Sequence, residues 1–194
     1  MPVEIEAKLK VNDFEQVRER LGASGATHVG NSVETNFLFD TDDRSLLAAD
    51  QGLRLRHKRS ASGDEPERFI LTFKGPRQQG KFKSRDEFEV GVLNGKDAVA
   101  LLDRLGYREV LRFEKRRETW KLESCLVELD ELPHLGSYVE IEGPKEETIQ
   151  RVRELLHLSE RPIVRASYVA LLMTYLQEQG KSTRVVAFPT GDRV

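Results

Sequence analysis

Glu4, Glu6 and Lys8 alternate in the stretch VEIEAKLKV (Val3 to Val11), so an extended chain there points two acids and a base to one side. The same period of two sets Arg54 with Arg56, Thr72 with Lys74, Lys115 with Arg117, Glu128 with Asp130, and Tyr138 with Glu140 and Glu142. It also aligns Lys81, Lys83, Arg85, Glu87 and Glu89. The middle segments supply cations in sets, whereas the first and last supply carboxylates in pairs. An ordinary solvated face is the plain reading of VEIEAKLKV taken alone, because antiparallel strands alternate whenever one side is wet. The bias across all the segments asks for ligands instead. Like charges about 4 Å apart repel by roughly 4 kcal/mol at an effective dielectric of 20, so crowded carboxylates call for divalent cations. Oxygen ligands without His or Cys select Mg2+, Mn2+ or Ca2+ rather than zinc. The basic sets call for a polyanion, to which Arg offers bidentate forks and Lys a mobile point charge. One cavity holding both fits a metal-chelated polyphosphate.

Positioning these side chains requires many strands. Period-two stretches run through VETNFLFD (Val33 to Asp40), LRLRHKR (Leu53 to Arg59), RFILTFKGP (Arg68 to Pro76), KFKSRDEFEV (Lys81 to Val90), EVLRFEKRRETWKLE, CLVELDELP and YVEIEGP. The cluster SASGDEP reads as a hairpin loop, and Pro133 to Gly136 as a turn. Helical spacing appears in NDFEQVRERLG, with Asn12 as N-cap and Gly22 as stop, and in KDAVALLDRLG (Lys96 to Gly106), with Val99, Leu102 and Leu105 inward. RSLLAADQG gives a further helical turn, and KEETIQRVRELLHL and SYVALLMTYLQEQ two closing helices. The pattern is an α+β chain of seven or eight antiparallel strands in one domain, residues 1–178, with 179–194 expected to be a flexible tail. Curling the sheet would bring the charged faces inward, with Val3, Ile5, Leu53, Leu55, Val127, Leu129, Val139 and Ile141 outward beneath the helices. Phe37, Phe39, Phe69, Phe73, Phe88 and Trp120 read as core or barrel wall. The face taken by Asn36 and Asp40 is not fixed by the sequence.

Composition limits the alternatives. Of 194 residues, 31 are Lys or Arg and 33 Asp or Glu, a net charge of −2, so there is no global basic field for nucleic acid or anionic membrane. Any basic site must be local and balanced by an acidic one. Cys125 is the only cysteine, which excludes an intrachain disulfide and a cysteine metal cage. The four histidines stand far apart, without a His-x-x-x-His pair. A reducing cytoplasm fits, and no apolar leader or membrane span is visible.

EIEAK, TNFLFD, LRLR, LTFKGP, SRDEFE, EKRR, VELDEL and LGSYVEIE occur in that order from Val3 onward, followed by the helical SYVALL ending at Leu172. In these pieces the chain resembles the CYTH superfamily, the triphosphate tunnel metalloenzymes, which includes class IV adenylate cyclases, thiamine triphosphatases and inorganic triphosphatases. The resemblance implies an eight-stranded antiparallel β-barrel with helices outside, closed around a triphosphate. It implies that Glu4, Glu6, Asp130, Glu140 and Glu142, with Glu128 beside them, hold Mg2+ or Mn2+. It implies phosphate contacts from Lys8, Arg54, Arg56, Lys74, Arg85, Lys115 and Arg117, with Glu4, Glu6, Lys8 and Asp130 central to catalysis. Lys81 and Lys83 share the parity of Arg85 but match less closely, and Ser167 and Tyr168 match a feature of the closing helix.

The partner so implied is a triphosphate-containing small molecule, ATP, inorganic triphosphate or thiamine triphosphate, rather than a nucleic acid or a membrane. Homodimerisation is left open. The branch resembled most is the class IV cyclase, which converts ATP to cyclic AMP and pyrophosphate; the alternative is a triphosphatase. Outside these stand a non-catalytic polyphosphate-binding module and an oligonucleotide-binding barrel, the latter disfavoured by the near-neutral charge and the acidic faces.

Overall fold

A computed structural model describes residues 3–78 and 82–189, except for the side chains of Val3, Glu4 and Lys83. Lys81 and the side chains of Glu4 and Lys83, all candidates above, therefore lie outside the described residues. The elements in chain order are β1 (Val3–Val11), α1 (Glu15–Ala23), β2 (Thr27–Asp40), α2 (Ser45–Ala48), β3 (Gly52–Ser60), β4 (Arg68–Lys74) and β5 (Lys83–Val92). They continue with α3 (Gly95–Arg104), β6 (Arg108–Leu122), β7 (Cys125–Leu132), β8 (Gly136–Gly143), α4 (Glu146–Leu155), α5 (Tyr168–Glu178) and β9 (Val185–Val186).

Strands β2, β3, β4, β5, β1, β8, β7 and β6 pair in that order, and β2 pairs back with β6 along Thr27 to Asp40. All eight pairings are antiparallel, and the β2–β6 pairing closes the sheet into a barrel. Closure gives every strand an inside and an outside, and the period of two decides which residues go where. Outside, Ala7, Leu9, Val127, Leu129, Val139 and Ile141 are fully buried beneath Val17 and Leu21 of α1 and Ile149 and Val152 of α4. Burying each valine, leucine or isoleucine of this set contributes about 1.5–3 kcal/mol, which makes this the main core. A second cluster places Phe39, Leu53 and Leu55 under Leu46 of α2 and Leu102 of α3.

One end of the barrel is apolar inside. Leu111, Phe113, Leu132 and Tyr138 share strand parity with Lys115, Asp130 and Glu140, and they pack against Tyr168, Leu172 and Leu176 of α5. Helix α5 thus lies across this end and closes it. The turn from β7 to β8 beneath it places His134 at φ 65° and Gly136 at φ 79°, a left-handed conformation that glycine adopts without steric cost.

Four details depart from the sequence reading. Helix α1 is opened by Asp13, whose Oδ1 accepts from Glu15 N at 3.0 Å, rather than by Asn12. Leu105 is 63% exposed, because α3 ends at Arg104 and Gly106, at φ 91°, turns the chain away. Phe88 is likewise half-exposed on the outer wall. The segment expected to form a flexible tail from residue 179 is docked through Phe188. Strand β7 covers β6 only from Arg116 onward, and β9 takes the vacant edge at Arg112 and Phe113 in parallel. Phe188 N then donates to Glu114 Oε2 at 3.0 Å, and its ring lies 4.0 Å from the Arg116 guanidinium.

Candidate active site

Inside the barrel the alternation delivers charge from every wall. Register sets Glu6 opposite Glu142, Lys8 opposite Glu140, and Glu140 opposite Glu128, so β1, β8 and β7 form an acidic wall. Directly opposed like charges destabilise a sheet unless something neutralises them. Across the lumen, Arg56 of β3 and Lys115 of β6 flank β2, whose Glu34 and Asn36 are 0% and 1% exposed. These two belong to the face the sequence left open.

The acid and base sets interlock through one buried carboxylate. Asp130, 0% exposed, accepts from Arg117 Nε at 2.7 Å and Nη2 at 2.5 Å, from Lys115 Nζ at 3.1 Å and from Tyr168 Oη at 3.0 Å. Arg117 also reaches Glu140 at 2.7 Å and pairs with Glu128. Lys8 lies 3.2 Å from Glu140, donates to the Ala166 carbonyl at 3.1 Å, and sits 4.1 Å above the Tyr168 ring. Lys115 lies 3.4 Å from Glu34, which in turn lies 3.2 Å from Arg56 Nε. Asn36 Oδ1 accepts from Arg56 Nε at 3.1 Å. A continuous chain of charge therefore runs from β3 through β2, β6 and β7 to β8 and β1.

The remaining candidates line other parts of the lumen. Arg54 donates to Thr72 at 3.0 Å and pairs with Glu89 at 3.3 Å; Lys74 pairs with Glu87. Arg85 is 9% exposed, 4.0 Å from Asp50, and its backbone faces that of Glu4. Asp40 has a different role, with its carboxylate accepting from Leu46 N and Leu47 N at the start of α2.

The local field differs from wall to wall. Burial alone would raise Glu34, but Arg56, Lys115, Arg117 and Arg54 together hold it well below the usual carboxylate range. Burial and the neighbouring Arg56 lower Arg54 to about 10. Burial raises Glu128, which Asp130 and Glu140 reinforce against the pull of Arg117. Burial works against the charge on Arg117, but Asp130, Glu128 and Glu34 outweigh it and raise the group further. Burial and the adjacent Asp130 and Glu140 push Tyr168 far up, so its hydroxyl stays protonated and donates.

This donor set fits a hard divalent cation. The acidic wall offers carboxylate oxygens in facing pairs, Glu6 with Glu142 and Glu128 with Glu140, without competing His or Cys. Among the described residues these acids form pairs rather than a gathered cage of three. Asp130 is engaged by protein donors on both oxygens, so it orients Arg117 and Lys115.

The alternation in the sequence places the walls from β1, β3, β6, β7 and β8, but neither Glu34 nor the hydrogen bond of Tyr168 was among its expectations. The signal for Glu34 was present: with Phe37 and Phe39 placed on the wall, period two sends Glu34 and Asn36 inward.

The CYTH domain model matches residues 2–167. A Methanocaldococcus jannaschii protein provisionally named adenylate cyclase is 29% identical over 178 residues, covering 87% of this chain and 98% of that protein. The solved PH1819 protein of Pyrococcus horikoshii superposes with a TM-score of 0.77 at 29% identity, covering 89% of this chain and 99% of that one. A Hippeastrum protein, provisionally an adenylyl cyclase and described as having a dominant triphosphatase activity, superposes at 0.65 with 19% identity, covering 94% and 98%. With the barrel, its two-signed lumen and a family match over most of its length, the chain belongs to the CYTH domain family.

Proposed function

We propose that the chain is a divalent-metal-dependent enzyme acting on nucleoside triphosphates, of the class IV adenylate cyclase type. The observation that carries this reading is one closed lumen that holds facing carboxylates, Glu6 with Glu142 and Glu128 with Glu140, together with Arg54, Arg56, Lys115 and Arg117. Mg2+ or Mn2+, when bound, neutralises phosphate oxygens and supports the attacking and leaving oxygens of an in-line displacement. Glu6 and Glu142 would hold it, with Glu4 and the Glu128–Glu140 pair.

The closed end favours cyclisation. Tyr138 lies at the α5 end of β8, and Glu142 lies four residues, about 13 Å, toward the other mouth. Lys8, Lys115 and Arg117 gather at the deep end, around Tyr168 and Asp130. A triphosphate entering from the end opposite α5 would lead with its terminal phosphate, which these cations would grip. Its α-phosphorus and nucleoside are left nearer Glu6 and Glu142. Attack of the ribose 3′-hydroxyl oxygen on the α-phosphorus, with its proton lost to water, would then break the bond from that phosphorus to the bridging oxygen and expel pyrophosphate into the cationic end, where Lys8, Lys115 and Arg117 would balance the charge developing on the leaving oxygens. The packed wall excludes bulk water from that end and strengthens each contact.

Triphosphate hydrolysis is the second reading, because the same walls serve when water attacks the terminal phosphorus, and it is the activity stated for the Hippeastrum protein of this fold. Incubation with ATP, inorganic triphosphate and thiamine triphosphate, with Mg2+ or Mn2+ and with excess chelator, separates the two. Cyclic AMP with pyrophosphate supports the cyclase and orthophosphate the hydrolase. Turnover unaffected by chelator, or none on any of the three, defeats the proposal.

A further inference from the structure

Glu34 is a fully buried acid outside the acidic wall. Its cross-strand neighbours, Lys58 and Lys115, are both cations, whereas Glu6 stands between Glu142 and Lys83 and Glu140 between Glu128 and Lys8. It is fully buried, and neither carboxylate oxygen has a hydrogen-bond partner, although Arg56 Nε and Lys115 Nζ stand within ion-pair range at 3.2 and 3.4 Å. The Asn36 amide nitrogen beside it and Arg54 Nε are also buried without hydrogen-bond partners. A carboxylate placed only to fix Arg56 would meet its donors with aligned hydrogen bonds, as Asp130 meets Arg117. A metal ion is disfavoured there by four surrounding cations, Arg54, Arg56, Lys115 and Arg117. What this geometry supplies is negative charge at the centre of the phosphate-gripping wall, loosely held by groups that can turn to another anion.

We propose that Glu34 is a charge-limiting residue, an internal anion that competes with bound triphosphate for Arg56 and Lys115 and so sets how tightly the lumen holds a polyanion. The inference rests on the triphosphate reading of the lumen. Its chemical consequence falls on product release: without Glu34 the cations that balance an expelled pyrophosphate would keep it.

The test is calorimetric titration of inorganic triphosphate and of orthophosphate in excess chelator, on wild type, Glu34→Gln and Glu34→Asp. Glu34→Gln should lower the Kd for triphosphate by at least about tenfold, equivalent to about 1.4 kcal/mol, with a smaller change for orthophosphate. The dependence of log Kd on log salt should steepen, since one more uncompensated cation faces the ligand. Glu34→Asp keeps the charge but draws it away from Arg56 and Lys115, so its Kd should fall less; it decides the matter if the glutamine variant does not fold. If Glu34 merely organises the wall, both substitutions weaken binding. An unchanged or raised Kd for triphosphate in the folded variants overturns the proposal while leaving the function standing. A wild-type chain that binds no triphosphate overturns both.

Discussion

Replacing Asp130 by Asn tests whether the lumen is held together by its own opposite charges. The carboxylate is 0% exposed and receives donors from Arg117, Lys115 and Tyr168, so the amide leaves two buried cations short of a partner. Removing one member of a buried ion pair costs about 3–5 kcal/mol. Arg117 keeps Glu128 and Glu140, and Lys115 keeps Glu34, which places the expected loss at the low end, about 3 kcal/mol. For a chain of 194 residues that corresponds to a fall in Tm of about 6–12 °C. Urea unfolding in chelator, followed by fluorescence of the single tryptophan Trp120, measures it directly. Tyr168→Phe removes the same hydrogen bond from the other side and should cost about 1 kcal/mol. The double variant should lose less than the sum, since that bond can be lost only once. A loss below about 1 kcal/mol for Asp130→Asn, or strict additivity with Tyr168→Phe, would refute the idea that Asp130 anchors the cationic end.

Glu142→Gln should lower activity by at least about tenfold and raise the metal concentration needed for half-maximal rate, with unfolding unchanged to within about 1 kcal/mol; an unaltered metal requirement removes Glu142 from the ligand set. Burial, reinforced by Asp130 and Glu140, raises Glu128 from 4.5 to about 7, so the folded state binds more protons than the unfolded state in that interval. Stability from this group is therefore full below pH 4.5 and is lost as pH rises toward 7; relative to Glu128→Gln, wild type in chelator should weaken by about 3 kcal/mol between pH 4.5 and 7.5, and parallel pH profiles would sink the assignment. A Cβ on Gly143 would meet Cys125 Sγ at 2.7 Å and Ile149 Cγ1 at 3.1 Å. Gly143→Ala should accordingly cost about 1–3 kcal/mol, partly recovered with Cys125→Ala, in urea unfolding.

The charged walls were legible because a strand gives each side chain only two directions. With Val127, Leu129, Val139 and Ile141 committed outward to the core, Glu128, Glu140 and Glu142 had to face in, and the eight matching segments place them in register with Glu6 and Lys8. What escaped were contacts between segments far apart in the chain. VETNFLFD is flanked by residues that alternate poorly, since β2 begins at Thr27 with an exposed stretch, so its inward face was not assigned and Glu34 was lost. The Tyr168 hydroxyl reaches a carboxylate 38 residues earlier in the chain, and no local period encodes that. The docking of Val185 to Phe188 likewise depends on β7 being shorter than β6, a property of the pairing rather than of either sequence alone.

For the proposed enzyme, the choice of reaction would not follow from the set of charged residues alone. Glutamates and basic side chains in one lumen serve cyclisation and hydrolysis alike, because both need a neutralised phosphate chain and a supported nucleophile. They differ in which phosphorus stops beside the acids, and that is a matter of depth. Depth is set where the lumen turns apolar, at Leu111, Phe113, Leu132 and Tyr138 under α5. A phosphate cannot enter that layer, since burying its charge among hydrocarbon costs far more than the contacts there return. In the proposed enzyme that floor would fix how far the terminal phosphate travels, and Lys8, held by Glu140, the Ala166 carbonyl and the Tyr168 ring, would mark the place where it stops. In the proposed enzyme the charges come from the strands, while the depth that would choose the bond to break is set by the helix that closes them.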